Sequence, residues 1–222
     1  MGCHGMDSLL EQHSIIVLAY HGVEPIDLGA TCGVLSMARR IIPNLTFQLA
    51  APEAGVFEMA SGVRAIADHS YATCPAADVY LMLGGPGWPN VAADEAALGF
   101  LRDAATKGVV ASVCTGGMIL AAAGLLDGLP ATTRRQRAPN EATAPLDAMA
   151  LLSRGIKAVP AVFIDAGSIV TGGGVTLAID TTLHLIARRY GRSAAQDVAR
   201  LIEYDRAWAA NTTASDFLAA AS

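Results

Sequence analysis

Charge is scarce in this chain, and so are aromatic rings. Charged residues make up 16% of the 222 positions and aromatics 5%, against a usual ~25% charged. Little charge beside 53% hydrophobic residues excludes intrinsic disorder, which needs the opposite balance. There is no basic excess either: the formal net charge is -5 and the sequence pI about 5.4. A nucleic-acid-binding surface normally shows as such an excess, and so few aromatics leave no base-stacking platform. The four cysteines, Cys3, Cys32, Cys74 and Cys114, are scattered and form no CxxC pair. That pattern argues against a disulfide framework or a zinc site. No basic region followed by a long apolar stretch opens the chain, so no signal peptide is expected. The mean hydropathy is +0.41, and one uncharged run, Gly108 to Leu126, covers 19 residues. It has the length of a membrane span, but its middle, Ser112 to Gly117, is polar and glycine-bearing, as a buried strand running into a buried helix would be. The expectation is a reduced, cytoplasmic, globular protein, outside any membrane.

Continuous apolar runs at Ser14–Tyr20, Asp78–Leu83 and Val109–Val113 read as strands buried on both faces. Leu45–Ala51 is a further strand, and Val56–Met59 with Val63–Ala67 a small hairpin around Ala60-Ser61-Gly62. Helices are expected over Asp27–Arg40, Asp94–Lys107 with a stop at Gly108, Gly116–Leu126, and near 145–153. Ile156–Ile164 and Ser168–Thr171 read as two strands around Asp165-Ala166-Gly167. Val175–Tyr190 is a strong helix pattern, followed by Ser193–Glu203 with Ser193 as N-cap. Strands alternate with helices throughout, which points to an α/β sandwich with a mainly parallel sheet. The organisation expected is an N-terminal extension over 1–13, one domain over 14–204 and a C-terminal tail over 205–222.

Chemistry concentrates where strands end. Val109 to Val113 leads into Cys114, and a small-residue helix starts at once with Thr115-Gly116-Gly117. This is the pattern of a nucleophile elbow, in which a sharp turn lifts one side chain above the sheet edge. A helix N-terminus favours thiolate, so the Cys114 pKa is expected below its free value of ~8.5. The plain alternative is a small buried core cysteine. Gly84-Gly85-Pro86-Gly87 ends another buried strand and belongs at the same edge, where parallel sheets bind their ligands. The N–H groups of Gly85 and Thr115 are candidate donors to a developing negative charge; a simple tight turn is the alternative. Asp27, after the first strand, is either a helix-start charge or a proton donor and acceptor sharing one proton with Cys114.

These motifs resemble the ThiJ/PfpI superfamily, whose fold is like that of class I glutamine amidotransferases, and within it most closely the isonitrile hydratases. The resemblance rests on Gly22–Leu28, Asp78–Gly87, Ser112–Gly116, Ala121–Gly128, Ala131–Thr133, Val170–Thr176, Ile179-Asp180 and Leu201–Tyr204. They cover residues 14 to about 204 in the family's order. It implies a flavodoxin-like three-layer sandwich with a mainly parallel central sheet and a nucleophile elbow. It also implies catalytic roles for Cys114 as nucleophile, Asp27 as its acidic partner and Thr115 beside it. Gly84, Gly85 and Gly173 are the implied oxyanion or substrate-binding positions, with Gly172-Gly173-Gly174 opening a helix near the nucleophile. A homodimer is the family's usual assembly. One departure matters: many members carry a histidine just after the Thr-Thr pair, and Arg134 stands there. None of the five histidines replaces it, so a Cys–His hydrolase is disfavoured. His184 reads as a packing residue, while His21 follows the first strand close enough to reach the pocket rim.

The function implied is hydration of an isonitrile, a small-molecule substrate, to an N-substituted formamide. It proceeds through a Cys114 thioimidate with Asp27 as acid and base and needs no cofactor or metal. The competing readings are a cysteine-based redox or ligand sensor and a deglycase, glyoxalase or amidase of the same superfamily. Direct transcriptional control is not expected, because the 19 residues after Glu203 are too few for a helix-turn-helix region.

Overall fold

A computed structural model describes residues 12–152, 155–213 and 218–219. In chain order the elements are β1 (His13–Leu18), α1 (Pro25–Ala38), β2 (Leu45–Ala51), β3 (Gly55–Glu58), β4 (Arg64–Ala67), β5 (His69–Ser70) and β6 (Val79–Met82). There follow α2 (Trp88–Ala92), α3 (Glu95–Ala104), β7 (Val109–Ser112), α4 (Gly116–Ala122), β8 (Pro130–Ala131), α5 (Pro145–Leu152) and β9 (Lys157–Ala158). Last come β10 (Phe163–Asp165), β11 (Ile169–Gly172), α6 (Ala178–Leu201), α7 (Asp205–Thr213) and β12 (Leu218–Ala219).

Eight strands form one sheet in the order β12-β10-β11-β7-β6-β1-β2-β5, every pair parallel except β10 with β11. The central strands are apolar along their whole length because helices cover both faces. Ile15 to Leu18 and Val79 to Met82 are all buried. Helices α1 and α6 pack together as one group, and α2, α3, α4 and α5 as a second, which makes the three-layer sandwich. The hydrophobic run Gly108–Leu126 is β7 followed by α4. Among the described residues no helix is long and apolar enough to cross a membrane.

The register places the chemistry. Leu18 pairs with Met82, Met82 with Ser112, and Ser112 with Thr171, so four parallel strands end on one line. From β1 the chain moves outward to β2 on one side, while β6, β7 and β11 lie on the other. The reversal falls between β1 and β6, the place where open α/β sheets leave a crevice at their carboxyl edge.

The structure refines the sequence reading at several element boundaries. The expected strand Ile156–Ile164 is two short ones, β9 paired with β8 and β10 in the main sheet. The break expected between Tyr190 and Ser193 falls at Gly191, whose φ of 86° leaves the helical region, and the helix resumes without a cap at Ser193. The expected tail is partly built into the fold: Trp208 of α7 is buried, Asn211 donates to Asp180 at 3.0 Å, and β12 pairs with β10. Of the expected extension, residues 1–11 lie outside the described residues.

Candidate active site

Cys114 sits in the one-turn gap between β7 and α4 with φ +52°. A left-handed non-glycine residue costs of order 1–3 kcal/mol and persists only where its surroundings impose it. Here the imposition is visible. The Cys114 N–H donates to Gly173 O at 2.9 Å, and its carbonyl accepts the Thr133 hydroxyl at 2.6 Å. The helix behind it must start with Gly116, because a Cβ there would lie 2.4 Å from the Met82 carbonyl oxygen. The side chain is buried, with 3% of the residue exposed.

Asp27, in the first turn of α1, is fully buried. Its Oδ2 accepts the Gly84 N–H at 3.1 Å, and the Cys114 side chain lies beside the same carboxyl, whose Oδ1 has no hydrogen-bond partner among the described residues. Gly84 is what allows this approach. A Cβ at position 84 would stand 2.5 Å from the Thr115 nitrogen, 2.7 Å from Cys114 Cβ and 2.8 Å from Asp27 Oδ2. The residues expected at the site from three separate strand ends therefore meet around one missing side chain.

The three glycine amides expected to face a substrate are already donated within the protein. Gly84 gives its N–H to Asp27, Gly85 to Thr115 Oγ1 at 2.8 Å, and Gly173 to Val162 O at 2.8 Å. Thr115 is buried and returns its hydroxyl to Gly85 O at 3.2 Å, so its side chain locks the glycine turn. The backbone donors that reach the Cys114 sulfur are those of Thr115 and Val175. Val175 was not foreseen. It lies in the turn before α6 with φ +58°, a conformation exceptional for a β-branched residue. The preceding glycine triplet flagged the segment, but nothing in the composition announced that backbone angle. Tyr20 was also missed. Its hydroxyl is buried beside Thr115, and burial, then Asp27 and Cys114, raise its pKa well above the ordinary tyrosine value.

The expected lowering of the Cys114 pKa is reversed. Burial, then the Asp27 charge, push the thiol up to about 12, against the pull of the Val175 and Thr115 amides. Removing a sulfur anion from water outweighs what a helix N-terminus returns. Burial likewise raises Asp27 from 3.8 to about 7, opposed by the neighbouring Cys114 thiol, by the Gly84 N–H and, more weakly, by Arg134. Between these values the pair holds one proton, resting on sulfur.

A cavity of about 550 Å³ opens over Cys114 and Thr115, with Glu24, Trp88, Arg134 and Val175 in its wall. Arg134, in the place of the family histidine, is ion-paired with Glu141. Its side chain lies against Gly174, where a Cβ would come within 2.5 Å of it. His21, expected at the rim, lines a different cavity with Glu58 and Arg64. His184 is remote: it bonds Asp165 at 2.8 Å and stacks on Phe163. Trp208 is buried and stacks near Phe163. Among the described residues, no three His, Cys, Asp or Glu side chains are grouped as metal ligands.

Residues 13–188 match the sequence model of the DJ-1/PfpI family. An isonitrile hydratase from Pseudomonas putida is 31% identical over 188 residues, which are 84% of this chain and 76% of that protein. Among solved structures, a ThiJ/PfpI family protein from Pseudomonas syringae superposes with a TM-score of 0.76 at 26% identity, over 92% of this chain and 82% of the other. Drosophila melanogaster DJ-1beta superposes with a TM-score of 0.73 at 18% identity, over 86% of this chain and 98% of the other, a likeness of fold.

Proposed function

The chain belongs to the DJ-1/PfpI family, and from that premise we propose that it is an isonitrile hydratase-like enzyme. The observation that carries the reading is the thiol–carboxyl pair, Cys114 with Asp27, beside an arginine in the histidine's place. Such a pair holds one movable proton and no imidazole.

Asp27 takes the thiol proton as the isonitrile enters. The thiolate forms a bond to the terminal carbon, and Asp27 delivers its proton to that same carbon, giving a thioimidate, R–N=CH–S–Cys114. The amides of Thr115 and Val175 face the sulfur and stabilise its charge while it exists. Asp27 then takes a proton from water, the hydroxide adds to the thioimidate carbon, and the proton passes to nitrogen. Loss of the hydroxyl proton to Asp27 makes the carbonyl as the C–S bond breaks, and that proton returns to sulfur. The sum is R–NC plus water giving R–NH–CHO.

Thr115 acts as a positioning residue through its two bonds to Gly85. Two further points belong to the proposal. Val56 and Ile66 face each other across the β3–β4 hairpin and are each 69% exposed, a surface suited to a second copy of the chain. The setting is cytoplasmic, where the thiol stays reduced.

The test is formation of N-substituted formamide from a small alkyl isonitrile, with methylglyoxal as the competing substrate. Wild type turns over the isonitrile, and Cys114→Ala and Cys114→Ser do not, because a side chain without a thiol cannot form the thioimidate at this site. Hydration by either variant refutes the covalent route. Turnover of methylglyoxal alone favours the glyoxalase reading, and oxidation of Cys114 without any turnover favours the sensor.

A further inference from the structure

The cavity over Cys114 has a charge pattern that the nucleophile itself does not require. Among the described residues three formally charged side chains line it: Glu24, Arg134 and Glu141. Arg134 and Glu141 neutralise one another and are folded into their own loop. Arg134 also donates to the Gln136 carbonyl, and the second oxygen of Glu141 accepts the Ala138 N–H at 2.7 Å. Glu24 is different. It is the N-cap of α1, yet its side chain makes no capping hydrogen bond, and no ion pair reaches it among the described residues. Its backbone is nonetheless fixed, with the N–H on Gly84 O at 2.8 Å and the carbonyl accepting the Asp27 N–H at 3.1 Å. The backbone that carries this carboxylate is thus fixed at the cavity wall, and the carboxylate has no ion-pair partner among the described residues. Asp27 lies behind it, within electrostatic reach. Much of the remaining wall is apolar, with Ile26, Pro86 and Trp88 lining the same cavity.

We infer that this cavity selects substrates that carry a cationic group on an apolar body, with Glu24 as the specificity-determining residue. A cation placed there meets the Glu24 carboxylate in a cavity that Trp88 also lines, and an indole is the ring type that best attracts a cation. An anionic substrate would need Arg134, whose guanidinium is taken by Glu141, and would face repulsion from Glu24 and Asp27. A wholly apolar substrate of matching size would strip water from Glu24 and give nothing in return. The inference rests on Cys114 being the nucleophile of the proposed reaction, but not on isonitrile chemistry.

The experiment uses two thiol reagents of similar size and opposite charge, the trimethylammonium-ethyl and sulfonatoethyl methanethiosulfonates. In both, the thiolate bonds to the sulfenyl sulfur and methanesulfinate leaves, so the products are a mixed disulfide and that anion. Modification of Cys114 is followed by peptide mass spectrometry on the whole chain, and rates are divided by those of a small free thiol. Wild type should favour the cationic reagent by about tenfold or more, the scale of local electrostatic enrichment in a charged cleft. In Glu24→Gln the ratio should fall toward that of the free thiol. A normalised ratio near one, a ratio unchanged in Glu24→Gln, or no modification of Cys114 by either reagent overturns the inference. Absence of isonitrile turnover with the ratio intact removes the hydratase reading and leaves the charge preference standing.

Discussion

Replacing Asp27 by asparagine should make the protein more stable at pH 8 while disabling it. Asp27 is fully buried, and its folded-state pKa is raised from 3.8 to about 7, chiefly by burial. Between those values the folded chain holds a proton that the unfolded chain has lost, so stability falls as pH rises across that window. The contribution is complete below 3.8 and is lost once pH passes about 7. A tenfold difference in proton affinity is worth 1.36 kcal/mol, so ionised Asp27 costs the folded state roughly 4 kcal/mol at pH 8. Asparagine has the same shape, can accept the Gly84 N–H, and carries no charge at any pH. Urea denaturation of wild type and Asp27→Asn at pH 4, 6 and 8, with equal m-values, reads the difference directly. The variant should be more stable by up to about 4 kcal/mol at pH 8, and the advantage should shrink toward zero near pH 4. An Asp27→Asn protein less stable than wild type at pH 8, or a difference independent of pH, refutes the placement of a raised carboxyl here.

Other consequences follow from the same geometry. Asp27→Asn should lose ~10²–10⁴-fold in hydration rate, the usual worth of acid–base help. Alkylation of Cys114 by iodoacetamide at pH 8 should quicken instead, by about 10–10³-fold, because the Asp27 charge is one cause of the high thiol pKa. If alkylation slows, the electrostatic argument fails. The rate of hydration should rise with pH through about 7, where the pair reaches its one-proton state, and kcat/KM measured from pH 5 to 9 shows that limb. Arg134 lowers the Asp27 pKa, so Arg134→Gln should move the limb to higher pH; movement the other way contradicts the assignment. Gly84→Ala should abolish hydration, since the added methyl would overlap Cys114 Cβ and the Thr115 nitrogen. Normal kinetics in that variant would show that the three groups do not converge there.

The sequence alone determined much of this protein. Strands such as Ile15–Leu18 and Val79–Met82 are legible because burial on both faces demands unbroken apolar residues. The elbow is legible because only small residues can follow Cys114 where a helix presses on a strand end. The order of motifs along the chain identifies the family, since each motif marks a different strand end. The tertiary structure decided how those ends are used. Whether Cys114 and Asp27 touch depends on strand register and on the space left by Gly84, which are relations between segments distant along the chain. The sign of the thiol pKa depended on burial, and local pattern showed only the helix N-terminus that works against it. Val175 and Tyr20 stayed hidden for the same reason. A valine or tyrosine reads as core until folding turns one backbone N–H, or one hydroxyl, toward the site. Apolar patterning reports which face of an element is buried; where two polar groups from different elements meet is decided only when the sheet closes its register.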